Sequence, residues 1–311
     1  MTLTVIIPAY NRERFIEGCI RSLVAGGVED TEMLVVDDGS SDNTASVVEN
    51  LCGEMPFLRL IRQENRGPGG ARNTGMKEAT GDWIWFIDSD DHVVPGAIPY
   101  ILSSINAYPG VDTFVISETW IYDDPSKNYQ DIPLPPAKAD LSGKEVLKDW
   151  IFPVWGPHRF VFRRSMLENP RLTFPEKIRH EDEYFGLVLA YLSEQMHILD
   201  KSIYHYIQHD DSIMSTADIY NAGDIFNIFL ALAEFVDSDA VAPEDRPWLN
   251  GRLSRWTVGT LKTYRGKDGY SDVIRPILPI IRKEYNRRSG ILPFHIRFRD
   301  NLRMLRAQFR K

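Results

Sequence analysis

The sequence predicts an α/β fold, a mostly parallel central sheet flanked by helices, followed by a C-terminal helical appendage. Three observations carry that prediction. Short apolar runs of strand length alternate with segments whose apolar residues recur at helical spacing through about residue 100. Two of those runs stop abruptly in carboxylates, at Asp37-Asp38 and at Asp88-Ser89-Asp90-Asp91. Beyond about residue 215 the strand signal gives way to helical periodicity alone.

Taken in order, Leu3–Ile7 reads as the first strand, and Phe15, Ile16, Cys19, Ile20 and Leu23 then fall on one helix face. Met33–Val36 is a second strand, with Val47, Val48 and Leu51 on the helix after it. Phe57–Ile61 makes a third strand, Gly70–Ala79 a helix, and Trp83–Ile87 a fourth strand. Past Asp123 the texture changes. Asp131-Ile132-Pro133-Leu134-Pro135-Pro136 must be extended, because proline excludes helix there and in the residue before it. Ser142 and Glu145 stand at capping-box spacing and open a helix toward Trp150. Later, Ile225, Ile228, Phe229, Leu232 and Phe235 share a helix face. The expected organisation is an α/β domain over residues 1–215, with halves 1–100 and 101–215, then a helical region over 216–311.

Composition fits a core-forming chain of one domain or a domain and a half, with 311 residues and 43% hydrophobic content. The only cysteines, Cys19 and Cys52, point to a reduced compartment. Met1-Thr2-Leu3-Thr4 runs straight into a strand without a basic leader, and no apolar run reaches spanning length, so a cytoplasmic protein is expected. Charge is uneven. Residues 282–311 hold ten Lys/Arg against Glu284 and Asp300, a net of +8 in a chain of −8, which leaves −16 on residues 1–281. That acidic remainder argues against nucleic acid as a partner. Apolar residues such as Phe294, Phe298 and Leu302 are interleaved in the basic tail. The tail therefore suits either an anionic membrane surface at the inner face of the cell membrane or packing on its own domain. Pairing of two chains through this region is a further alternative.

In sheets of this kind ligands bind beyond the carboxyl ends of the strands. Pro8-Ala9-Tyr10-Asn11, Asp37-Asp38 and Asp88–Asp91 should therefore share one rim. A buried strand ending in three carboxylates suits a hard divalent cation, since Mg2+ or Mn2+ takes one or two carboxylates plus substrate phosphates. The bland alternative is a solvated acidic turn capping a helix. Glycine clusters at Gly67-Pro68-Gly69-Gly70-Ala71-Arg72-Asn73-Thr74-Gly75. A dinucleotide fingerprint would need its third glycine where Arg72 stands, and no Gly-Lys-Ser/Thr follows, which removes a P-loop. What is left is a flexible loop leading to Arg72 at a helix start, where a guanidinium and free N–H groups can meet a diphosphate, or else a plain Gly-rich turn.

Four motifs occur in order: Val5-Ile6-Ile7-Pro8-Ala9-Tyr10-Asn11, Val35-Val36-Asp37-Asp38-Gly39-Ser40-Ser41-Asp42, Asn65-Arg66-Gly67 with Ala71-Arg72-Asn73-Thr74-Gly75, and Phe86-Ile87-Asp88-Ser89-Asp90-Asp91. Together they closely resemble the inverting family 2 glycosyltransferases of the GT-A fold, over roughly residues 3–215. The resemblance implies a nucleotide-diphospho-sugar donor, a UDP-sugar first among them, and a glycan or lipid-linked glycan acceptor in bacterial surface polysaccharide synthesis. It puts Pro8, Ala9, Tyr10 and Asn11 beside the base, Asp38 on the base edge, and Arg72 near the ribose or diphosphate. Asp88, Ser89 and Asp90 would bind the donor, and Asp90, Asp91 and His209 a Mn2+ or Mg2+ ion. Asp182, in Arg179-His180-Glu181-Asp182-Glu183, matches the family's base, and Glu181 is expected to orient its loop. A first-turn carboxylate beside the helix dipole should stay ionised, ready to accept a proton. The run Ile203–Ile213 resembles the segment that closes over the diphosphate, and Trp155, His158 and Arg159 lie where such enzymes shape the sugar pocket.

Two competing readings come from other classes. A strand ending Asp88-Ser89-Asp90 also suits an aspartyl-phosphate phosphatase, although His92 stands where that chemistry wants Thr or Val. A nucleotide-sugar-binding protein without turnover is the third, and the intact carboxylates speak against it.

Overall fold

A computed structural model describes residues 1–122, 130–131, 141–149, 156–208 and 221–263. The chain divides into two compact units, Met1–Ala217 and Asp218–Lys311.

In the first unit strands and helices alternate: β1 Leu3–Ala9, α1 Ile16–Val24, β2 Thr31–Asp37, α2 Thr44–Glu54, β3 Leu58–Arg62, α3 Gly67–Glu78, β4 Trp83–Phe86, β5 His92–Val93 and α4 Ala97–Ala107. The longer β6 Thr113–Tyr122 follows, then β7 Gln130–Asp131, α5 Gly143–Asp149, β8 Phe160–Arg163, α6 Glu181–Leu192 and β9 Met196–Gln208. The sheet order is β3-β2-β1-β4-β8-β6-β9-β5, with β7 paired to β6. β1 is parallel to β2 and β4, and β2 to β3. β8 runs antiparallel to both of its neighbours, and β9 is parallel to β6. Consequently β3, β2, β1, β4, β6 and β9 all point the same way, and the sheet is mostly parallel as the alternation predicts.

The apolar runs are strands because both faces of the sheet are covered. Every residue of β1 and β4 is buried, while the edge strand β3 is partly exposed. On one face α1 lays Ile16, Cys19, Ile20 and Leu23 into the core, where each large apolar side chain contributes about 1.5–3 kcal/mol. On the other face Phe86, Phe162, Phe174 and Phe185 form an aromatic cluster, with Phe174 and Phe185 stacked at 4.0 Å. That cluster fixes the start of α6 against the end of β4.

One sequence expectation is corrected. The glycine cluster is no flexible loop: α3 begins at Gly67, and Arg72 lies inside it, not at its start. Pro68 is tolerated in the first turn, where its missing N–H has no partner to lose. The glycines provide close approach instead of mobility. A Cβ on Gly75 would sit 2.3 Å from Ile6 Cγ2, and one on Gly69 would sit 2.3 Å from the Pro175 carbonyl oxygen. The run Ile203–Ile213 is described through Gln208, and that part belongs to the strand β9. The capping box at Ser142 is present, with the Ser142 N–H donating to Glu145 Oε2 at 2.8 Å.

The second unit contains α7 Asn221–Asp237 and α8 Arg246–Thr263. Ile225, Ile228, Phe229, Leu232 and Phe235 of α7 are all buried, as the helical stripe predicts. Among the described residues no helix is long and apolar enough to cross a membrane. His209, Trp155, most of the Pro-rich stretch and the basic tail lie outside the described residues.

Candidate active site

The carboxyl ends of β1, β2 and β4 meet at one rim. Ala9 pairs with Asp37, and the Ile87 N–H donates to the Ile6 carbonyl, so the chain beyond each strand emerges side by side. Tyr10 is 47% exposed there, an aromatic face open to solvent. Asn11 adopts φ 52°, a left-handed conformation that asparagine tolerates. From it the backbone N–H donates to Ser40 Oγ at 2.9 Å, and its Oδ1 accepts the Ser41 N–H at 2.8 Å. The first two motifs are thereby stitched together. Pro8 and Ala9 are buried at the carboxyl end of β1.

Asp38 is 2% exposed, and its Oδ1 accepts from Gln63 Nε2 at 2.6 Å and from the Arg66 N–H at 2.8 Å. Arg66 also forks onto Glu176, with its Nε 2.9 Å from Oε2. Nothing in the sequence linked these two, because the pairing spans 110 positions.

At the end of β4 each carboxylate has its own surroundings. Asp88 receives Arg72 Nη2 at 2.8 Å, and His158 Nδ1 stands 3.6 Å from its other oxygen. Burial alone would raise the Asp88 carboxyl, but Arg72 and His158 hold it well below the usual range. Ser89 is buried. Asp90 faces Arg12, whose Nε lies 3.3 Å from Oδ2. Asp91 is 1% exposed and turned inward, accepting from Tyr204 Oη at 2.5 Å and from the Ile207 N–H at 2.7 Å. Both Asp91 oxygens thus anchor β9, and burial pushes the carboxyl up. Asp88 and Asp90, with side chains 26% and 19% exposed, are the partly exposed carboxylates of this turn, each already facing a cation.

Arg72 then joins this turn to the far half of the unit. Its Nη1 donates to Glu181 Oε1 at 2.6 Å, in a buried pair. Glu181 is the first residue of α6, whose N-cap His180 is left-handed at φ 65°. Asp182 follows in the first turn, half-buried, with its Oδ1 accepting the Glu183 N–H at 3.0 Å. Burial raises the Asp182 carboxyl above the ordinary aspartate range, against the pull of Arg72. Burial likewise lifts Glu181 in spite of its pairing with Arg72.

Behind Asp88, His158 and Arg159 meet a partner that sequence reasoning missed, Glu118. His158 Nε2 is 2.5 Å from Glu118 Oε2, which Arg159 Nε also approaches at 3.1 Å. Arg159 is 2% exposed, so it is no solvated charge. The His158 ring stacks on Tyr204 at 4.3 Å, the same tyrosine that holds Asp91. Burial would lower the imidazole, but Asp88 and Glu118 outweigh it and push it up to about 9. Glu118 lies in a strand without any motif, so only adjacency in the sheet reveals it.

Among the described residues no group of three or more His, Cys, Asp or Glu side chains could hold a metal ion by itself. The donor set nonetheless fits Mn2+ or Mg2+ in their usual manner, one or two carboxylates completed by phosphate oxygens and water. Asp90 already draws a cation, the Arg12 guanidinium, to its outer oxygen.

The sequence profile of Glycosyl transferase family 2 matches residues 4–169, more than half of the chain. The chain belongs to that family. It is 31% identical over 222 residues to the uncharacterized glycosyltransferase EpsJ of Bacillus subtilis, across 68% of this chain and 62% of EpsJ. Several curated relatives are matched over 62% of their length, so the chain spans about three fifths of those proteins. A Campylobacter jejuni GalNAc(5)-diNAcBac-PP-undecaprenol beta-1,3-glucosyltransferase is 27% identical, over 79% of this chain and 77% of its own. Staphylococcus aureus TarS 1-349 superposes with a TM-score of 0.69 at 20% identity, covering 92% of this chain and 80% of that one. It has also been solved in complex with UDP-GlcNAc. The likeness establishes the GT-A fold.

Proposed function

We propose that this family 2 member is a metal-dependent inverting glycosyltransferase. It moves a sugar from a nucleotide-diphospho-sugar, a UDP-sugar first among them, to a hydroxyl of a glycan or lipid-linked glycan in bacterial surface polysaccharide synthesis. The observation that carries this reading is the Arg72 bridge, which brings Asp88 and the first turn of α6, with Asp182, to one place. The C. jejuni relative acts on an undecaprenol-linked glycan by name, and TarS binds UDP-GlcNAc. Both support the proposed partners.

In this reading Tyr10 stacks on the base, and Asp38, with one oxygen committed to Gln63 and Arg66, accepts a base N–H with the other. Asp88 and Asp90 hold the ribose and diphosphate side of the donor. A Mn2+ or Mg2+ ion bound at Asp90 would supply charge stabilisation to the leaving diphosphate without a proton donor. Asp182 takes the proton of the acceptor hydroxyl from the face opposite the leaving group, a contribution on the order of 10²–10⁴-fold. Its raised carboxyl suits a base. Glu181, tied to Arg72, keeps the first turn in position. The arrangement is a poor match for a phosphatase, because Asp88, the required nucleophile, is committed to Arg72 and faces His158.

Residues 1–100 serve as the nucleotide half, 101–215 as the acceptor half, and 216–311 as the appendage whose +8 tail meets anionic lipid. The test is UDP release with a panel of UDP-sugars, Mn2+ and glycan acceptors. Transfer should appear with inverted anomeric configuration and vanish in Asp182→Asn. Retained configuration, or full activity in that variant, rejects the assignment.

A further inference from the structure

The acidic turn 88–91 is neutralised one carboxylate at a time. Asp88 has Arg72 and His158, Asp91 has the Tyr204 hydroxyl and the Ile207 N–H, and Asp90 has Arg12. Arg12 is held for this task. Its backbone N–H donates to Thr44 Oγ1 at 2.7 Å, just after the left-handed Asn11. Its side chain folds back along the loop, with Nη1 3.5 Å from the Tyr10 carbonyl and 3.3 Å from the Asn11 carbonyl. The guanidinium therefore lies between the backbone carbonyls of residues 10 and 11 and the Asp90 carboxylate, with its side chain only 17% exposed.

This location has a consequence for cation binding. A divalent ion approaching Asp90 meets a fixed positive charge on the same carboxylate, and like charges at such range disfavour each other strongly in a half-buried site. A diphosphate removes the conflict, because its several negative oxygens can engage an ion and a guanidinium together, and arginine is well suited to phosphate. We propose that Arg12 is a donor-positioning residue that occupies the cation side of Asp90 until a nucleoside diphosphate arrives, then transfers to the diphosphate. Ion binding is thereby made conditional on donor binding. The proposal rests on the glycosyltransferase reading and adds a residue to it that the four motifs do not include.

The experiment uses the full chain and measures binding, not turnover. Mn2+ is titrated with the free ion followed by its six-line electron paramagnetic resonance signal, with and without UDP, and UDP binding without metal is followed by calorimetry. Wild type should bind Mn2+ alone weakly and gain on the order of tenfold or more with UDP, a coupling of ordinary size between linked sites. Arg12→Gln should bind Mn2+ alone on the order of tenfold more tightly, bind metal-free UDP more weakly, and lose most of the UDP-dependent gain. Arg12→Lys, which retains the charge, should keep Mn2+ alone weak. Arg12→Met serves if Arg12→Gln does not show the wild-type circular dichroism. Unchanged Mn2+ affinity in the neutral variants, with UDP–Mn2+ still bound by wild type, overturns the role of Arg12 and leaves the glycosyltransferase reading intact. Wild type that binds neither UDP nor UDP with Mn2+ overturns both.

Discussion

Arg72 Nη1 lies 2.6 Å from Glu181 Oε1, a buried contact between residues 109 positions apart that ties α3 to the helix carrying Asp182. The same guanidinium holds Asp88 at 2.8 Å. One side chain thus sets the distance between the end of β4 and the first turn of α6.

Removing that side chain leaves Glu181 without its cation and Asp88 with His158 alone. Arg72→Met should destabilise the fold by about 3–5 kcal/mol, the usual consequence of stranding a buried charge. Urea denaturation followed by circular dichroism measures this. A double variant, Arg72→Met with Glu181→Gln, should recover part of the loss, since the stranded charge on α6 is gone.

The His158 imidazole, raised from 6.5 to about 9, makes a pH-dependent contribution to stability. A group whose folded value is raised stabilises fully below its unfolded value and loses that contribution as pH climbs through the folded one. Thermal melts of the wild type should therefore decline between about pH 6.5 and 9, and His158→Gln should lack that component of the decline.

Asp182 bears on the pH profile of catalysis instead. Because burial raises its carboxyl, the acid limb of kcat/KM should fall at a pH above the ordinary aspartate value. Asp182→Asn should lower kcat by about 10²–10⁴-fold with the UDP-sugar still bound, as read by calorimetry.

Two glycines separate stability from function. Gly75→Ala drives a Cβ to 2.3 Å from buried Ile6 and should cost about 1–3 kcal/mol by overpacking. Gly69→Ala meets the Pro175 backbone at 2.3 Å, on the segment leading to α6, so it should lower kcat by displacing Asp182. Urea denaturation paired with UDP-release kinetics distinguishes the two. A Gly69→Ala enzyme with wild-type kcat would break the link between that segment and the base.

Much of this molecule is readable along the chain. The strands β1, β2 and β4, the apolar stripes of α1 and α7 and the Ser142 capping box follow from local periodicity and short-range hydrogen bonding. The four motifs were enough to indicate the family. Local signals failed where contacts are distant. The glycines read as flexibility, whereas Gly69 and Gly75 are small because Pro175 and Ile6 press against them. Asp90 and Asp91 look equivalent in sequence, yet one faces Arg12 at the rim and the other is drawn inside by Tyr204.

By itself, then, the sequence determined the order of strands and helices and which strand ends carry acid, because periodicity and capping act over a few residues. Only the tertiary structure decided which carboxylate is open, which is an anchor, and which cation each one faces. Those choices depend on α6 and β9 bringing Glu181 and Tyr204 to Arg72 and Asp91 from more than a hundred positions away, where desolvation and charge pairing have no local signature.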